Sequence, residues 1–118
     1  MPLLGFKKQF ADLVERGRKR QTIRAKRRDG KNPHPGEKLF LYTGLRTKSC
    51  KKLGEAVCRS VSEISIDPYG INISGQWLSI TERDVVAMDD GFDDFTEMVK
   101  FFRKTHEIFP FYGLLIKW

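Results

Sequence analysis

The sequence predicts an α+β fold, a small mixed or antiparallel β-barrel of five to six strands with two or three flanking helices. Three observations lead there. β-branched and aromatic runs, punctuated by Gly, Pro, Asn and Ser, fill the middle of the chain from "KLFLYTG" to "INISGQWLSI". Apolar residues at helical spacing lie near both ends. The connections are mostly too short for repeated parallel crossovers. With 118 residues, 40% of them hydrophobic, the chain suits one domain, residues 1–118, with its own core.

"GFKKQFADLVERG" predicts the first helix, because Phe6, Phe10, Leu13 and Val14 fall at i, i+4, i+7 and i+8. Gly17 is well placed as its C-terminal cap. "RQTIRA" predicts a short strand on the β preference of Thr22 and Ile23. "RDGKNPHPGEK" is a loop, and "KLFLYTG" is apolar enough for a central strand. "GEAVCRSVSEISID" predicts one or two strands, "DPYG" a turn, and "INISGQWLSI" a hairpin about Ser74-Gly75. Ser79 with Glu82, or Thr81 with Asp84, has capping-box spacing for a short helix ending at Gly91. "DDFTEMVKFFRKTH" is the clearest helix, with Phe95, Met98, Val99 and Phe102 as its buried stripe and Asp94 with Glu97 as a capping pair. "FYGLLIKW" closes the chain as a strand.

The formal charge is +7, which favours polyanionic partners. It is also divided. Residues 16–28 hold eight basic residues and no acid, whereas residues 82–97 hold seven acids against Arg83 alone. Such polarity points to a polarised site more than to uniform stickiness. Two cysteines make no disulfide framework, and the N-terminus has no apolar run of signal-peptide length. No stretch approaches a membrane span, so a cytoplasmic protein without a membrane partner is expected. Cys50, Cys58, His34 and His106 fit no compact ligand pattern, so neither a metal nor a cofactor is expected.

The basic stretch "GRKRQTIRAKRR" is interrupted by Thr22 and Ile23, which a tail built only for charge does not need. As a strand it sets Arg20, Thr22 and Arg24 on one face and Gln21, Ile23 and Ala25 on the other, with Ile23 anchored in the core. A hydroxyl between two guanidinium groups, with Lys19 close by, suits phosphate or a nucleobase carbonyl. A solvated edge strand is the plainer alternative. Thr22 as a nucleophile needs a base, and Lys19 can serve only if its pKa is well depressed. "TGLRTKSCKK" adds basic residues in a loop that either extends a phosphate surface or is simply solvated. Tyr42, Tyr69 and Trp77 are candidate base stackers, although packing in the core or a hairpin is their commoner fate.

"GRKRQTIR", with "PGEKLFLYTG" and "MDDGF" following in order, resembles the ASCH family of the PUA-like superfamily. Gly17, Lys19, Thr22 and Arg24 match the family's Gly-x-Lys-x-x-Thr-x-Arg pattern. The resemblance runs over nearly the whole chain and implies a PUA-like β-barrel with a cleft for RNA or a nucleoside or nucleotide. The basic run itself supplies the candidate phosphate-binding residues Arg18, Arg20, Arg24, Lys26, Arg27 and Arg28. Some members are amidohydrolases that deacylate N4-acetylcytidine with a Lys, a Thr and a Glu. Lys19 and Thr22 match the first two positions, and Asp90, or else Asp89, stands where the Glu falls. Other members bind RNA or cleave it, so the resemblance leaves binding module, amidohydrolase and ribonuclease all open. A basic protein-interaction module is a further reading.

Overall fold

The computed structural model describes residues 2–106 and 109–118. The fold is α+β, with three helices and two sheets. The elements in chain order are β1 (Leu3–Phe6), α1 (Lys8–Glu15), β2 (Gln21–Arg24), β3 (Lys38–Thr43), β4 (Lys51–Val57), β5 (Ser60–Asp67), β6 (Gly70–Ile73), β7 (Gln76–Trp77), α2 (Ile80–Asp89), α3 (Phe95–Thr105) and β8 (Phe111–Lys117). The three-stranded sheet runs β1-β3-β4, with β1 parallel to β3. The five-stranded sheet runs β2-β8-β5-β6-β7 and is antiparallel throughout. No closed barrel forms among the described residues.

Eight strands exceed the expected five to six. One strand that was not expected is β1, because the predicted helix took in Phe6. Leu4 and Phe6 are buried while Leu3 is exposed, a period of two that a four-residue strand satisfies. The helical stripe starts only at Phe10 and Val14. Several other readings hold. "KLFLYTG" is the central strand of its sheet, Ser79 and Glu82 close the capping box of α2, and the Asp94 side chain accepts from the Glu97 backbone amide. Asp84 does not cap α2; its carboxylate accepts from the Phe95 amide at 3.0 Å.

β8 joins the two halves of the core. Leu114 and Ile116 pack with Leu4, Phe10, Leu39 and Leu41 on the side of the three-stranded sheet and α1. Leu115 and Phe111 face the other way, toward Ile66, Ile71, Met98 and Phe102 beneath α2 and α3. A strand buried on both faces reads as a continuous apolar run rather than an alternation. Gly113 sits within that run because a side chain has no room there. A Cβ would lie 2.3 Å from the Arg24 carbonyl oxygen.

Gly113→Ala is therefore expected to destabilise the fold by about 1–3 kcal/mol through overpacking against β2 backbone. Urea denaturation measures it. A variant as stable as wild type would contradict this packing of β8 against β2.

Candidate functional site

Among the described residues four polar or charged side chains are buried, and all four belong to one constellation: Lys19, Gln21, Thr22 and Asp90. Two helix ends put the pair of charges there. α1 stops in a Schellman motif at Gly17 (φ 75°), with the Arg18 amide on the Leu13 carbonyl and the Gly17 amide on that of Val14. The chain reverses and carries Lys19 inward. α2 stops in the same way at Gly91 (φ 100°), with the Phe92 amide on Ala87 and the Gly91 amide on Met88. Asp90 is the residue just before that turn. A Cβ on Gly91 would also approach a Phe10 ring carbon to 2.9 Å, so glycine is required twice over.

The Lys19 ammonium donates to the Asp90 carbonyl at 2.7 Å and lies 2.9 Å from its carboxylate Oδ1. The cation thus caps the negative end of α2 while pairing with the side chain. Gln21 Nε2 donates to the same Oδ1 at 3.3 Å and to the Val86 carbonyl at 3.2 Å. The ammonium also sits 5.1 Å from the Phe10 ring centroid and 5.9 Å from that of Phe6. Burial pulls the Lys19 pKa below its ordinary value. The Asp90 carboxylate opposes that pull, and the Arg24 guanidinium assists it. Burial likewise pushes Asp90 above the usual carboxylate range, against Lys19, Gln21 and Arg24. Both shifts move the pair toward its neutral form.

Thr22 and Arg24 extend from the face of β2 that meets the three-stranded sheet, since their partners on β8 are Ile116 and Leu114. Arg24 Nε donates to Thr22 Oγ1 at 3.3 Å, and its terminal nitrogen donates to the Gly5 carbonyl. β1 and β2 are edge strands of different sheets, so this guanidinium bridges the gap between the sheets. Burial lowers the Arg24 pKa, and Asp90 counters it. Among the described residues Lys19 makes no hydrogen bond to Thr22.

Lys19, Thr22, Arg24 and Asp90 line a cleft of about 560 Å³, a size suited to a small organic ligand. Phe6, Phe10 and Phe101 give it apolar walls; Lys7, Arg27 and Arg46 bring cations to it. His106 also lines it, stacked on Phe102, with its pKa lowered by burial and then by Lys7.

The structure brings together Lys19, Thr22, Arg24 and Asp90, and leaves Asp89 exposed outside the cleft. It disperses the rest of the basic stretch. Arg27 reaches the cleft but pairs with Asp29 at 3.0 Å. Lys26 pairs with Glu63, and Arg28 is exposed away from the cleft. Arg18 and Arg20 open onto a different concavity, so Arg20 does not flank Thr22 in the way strand alternation predicts; it lies one residue before β2. Tyr69 and Trp77 are neither packed in the core nor part of the cleft, being 87% and 62% exposed. Gln21 was the residue least visible in advance. Its signal was an amide on the face shared with Ile23, where a buried polar group must find partners.

In comparisons with known proteins the chain matches no family model, no curated protein and no solved structure.

Asp90→Leu strands the buried ammonium and is expected to destabilise by about 3–5 kcal/mol. The double replacement Lys19→Met with Asp90→Leu is expected to match or exceed wild type, because an apolar pair of similar volume carries no desolvation penalty. Lys19 has a folded-state pKa below its unfolded 10.5. Between those two values the unfolded chain holds more protons, so stability rises with pH. Wild type should therefore gain on the double variant as pH approaches 10.5. Urea denaturation across alkaline pH tests this, and a wild type that loses ground would contradict it.

Proposed function

We propose that this chain is an ASCH-type, PUA-like domain whose cleft binds a nucleoside or nucleotide, free or as an exposed base of RNA. The two sheets, bridged by Arg24 where β1 and β2 adjoin, are read as an opened PUA-like barrel. The observation that carries the functional reading is that three of the four buried polar residues, Lys19, Thr22 and Asp90, line a cleft of ligand size, with the fourth, Gln21, bonded to Asp90 behind it. Buried ion pairs are weak stabilisers, and perturbed titratable groups in a cleft mark functional sites. Phe6 and Phe10 offer apolar surface to a base. Arg24, Lys19 and the Thr22 hydroxyl offer donors to its carbonyl, and Asp90 and the Thr22 oxygen offer acceptors.

One observation favours a second reading, an amidohydrolase acting on an N4-acyl cytidine: burial depresses the pKa of Lys19. In that reading Thr22 Oγ attacks the acyl carbon, and neutral Lys19 takes the hydroxyl proton. The C–N bond then breaks as Lys19 returns the proton to the leaving amine, and water hydrolyses the acyl-threonine ester. Arg24 balances the oxyanion. Lys19 must first turn from Asp90 toward Thr22.

Calorimetric titration with cytidine and its 5′-monophosphate is expected to show binding that Arg24→Ala weakens at least tenfold and Lys100→Ala leaves unchanged. Absence of binding, or an unchanged Arg24→Ala, would overturn the cleft assignment. For the second reading, incubation with N4-acetylcytidine should release cytidine from wild type and not from Thr22→Ala. Equal release from both would reject Thr22 as nucleophile, and none from wild type would leave the binding reading alone.

A further inference from the structure

A second concavity, of about 490 Å³, lies where the start of β2, the end of β8 and the start of β5 meet. Four cations line it: Arg18, Arg20, Arg59 and Lys117. Asp89 is the lone acidic side chain in that lining. The four come from three neighbouring chain segments locked by the sheet. The Arg59 amide donates to the Lys117 carbonyl at 2.7 Å, and the Trp118 amide donates to the Arg20 carbonyl at 3.0 Å. Adjacent strands lie about 4.8 Å apart, so backbone pairing fixes Arg20, Arg59 and Lys117 close together at this end of the sheet.

No ion pair ties any of these four to an acid among the described residues. The contrast lies within the basic stretch itself. Arg16 pairs with Asp12, Lys19 with Asp90, Lys26 with Glu63 and Arg27 with Asp29. Each of those four cations has an acid within ion-pair distance. At this concavity the chain concentrates like charges, which repel unless an anion enters.

We propose that this concavity is a phosphate-backbone site for a single strand of nucleic acid, separate from the Thr22 cleft. Guanidinium groups match phosphate oxygens in fork geometry, and three arginines with one lysine can engage successive phosphodiesters. Its position follows from the fold: Gln21 lines the concavity and bonds Asp90, which lines the cleft, so the two sites adjoin through that pair. The site needs no base, no catalysis and no occupant in the cleft, so it stands or falls independently of the function proposed above.

The test is fluorescence anisotropy with a labelled ten-nucleotide oligouridylate at several salt concentrations. Arg59→Ala with Lys117→Ala should weaken binding about tenfold or more at low salt. It should also reduce the salt slope by about 1.4, the single-strand value for two lost contacts. Arg18→Ala with Arg20→Ala should do the same. Lys48→Ala with Lys104→Ala, equal in charge change and outside the concavity, should alter affinity less than threefold. All of these side chains are exposed, and circular dichroism checks that each variant stays folded. Equal effects from the three double variants would reduce the binding to net charge and overturn the site. Displacement of the oligonucleotide by inorganic phosphate at equal phosphate concentration would also overturn it, by making a free phosphate the ligand.

Discussion

The Lys19 ammonium is buried among two phenylalanine rings and held by both oxygen types of one residue, the carboxylate and the carbonyl of Asp90. Much of the molecule is arranged around that contact. It requires α1 to end at Gly17 and α2 to end at Gly91, each by the same backbone reversal. It uses Gln21, on the face of β2 that carries Ile23, to complete the coordination of the carboxylate. It ties β2 to the helical layer across the edge of the five-stranded sheet. A pair of apolar residues would join these elements at least as firmly. The polar version is explained by what it presents to the cleft: an amine whose pKa burial has lowered, and a carboxyl whose pKa burial has raised.

The basic stretch is divided between the cleft and the second concavity, which differ in character. Inside the cleft, charge is scarce, desolvated and bonded, and Arg24 places donors on Thr22 and Gly5 while keeping others free for a ligand. Such groups discriminate, because an imperfect ligand leaves them unpaired. Outside, Arg18, Arg20, Arg59 and Lys117 are exposed and unpaired among the described residues, which suits long-range attraction screened by salt. One short segment, β2 and the two residues before it, serves both, since Lys19, Thr22 and Arg24 go to the cleft while Arg20 and Gln21 line the concavity.

The sequence made the local chemistry legible. Capping residues at Ser79 and Asp94, the turn at Ser74-Gly75 and the strand at Thr22-Ile23 all depend on nearest neighbours, and all formed as their spacing predicts. The convergence of Lys19, Thr22 and Arg24 with an acid 68 residues beyond Thr22 came from the order of motifs, not from periodicity. Its choice between Asp89 and Asp90 waited for the geometry of the helix end, where a single residue decides between solvent and core. β1 stayed hidden because Phe6 satisfies a helical and an extended spacing alike, and only the parallel partner β3 decides between them. The scattering of Lys26, Arg27 and Arg28 depended on acids distant in the sequence or on a loop's path, neither of which a run of like charge reveals.

The most direct test is to map amide chemical shifts while cytidine is titrated into the uniformly labelled protein. The account predicts that the largest changes fall together on Gly5, Thr22, Arg24 and Asp90, four residues from three separated segments that meet only at this cleft. Changes confined to Arg59, Lys117 and their neighbours, or no localised change at saturating nucleoside, would contradict it.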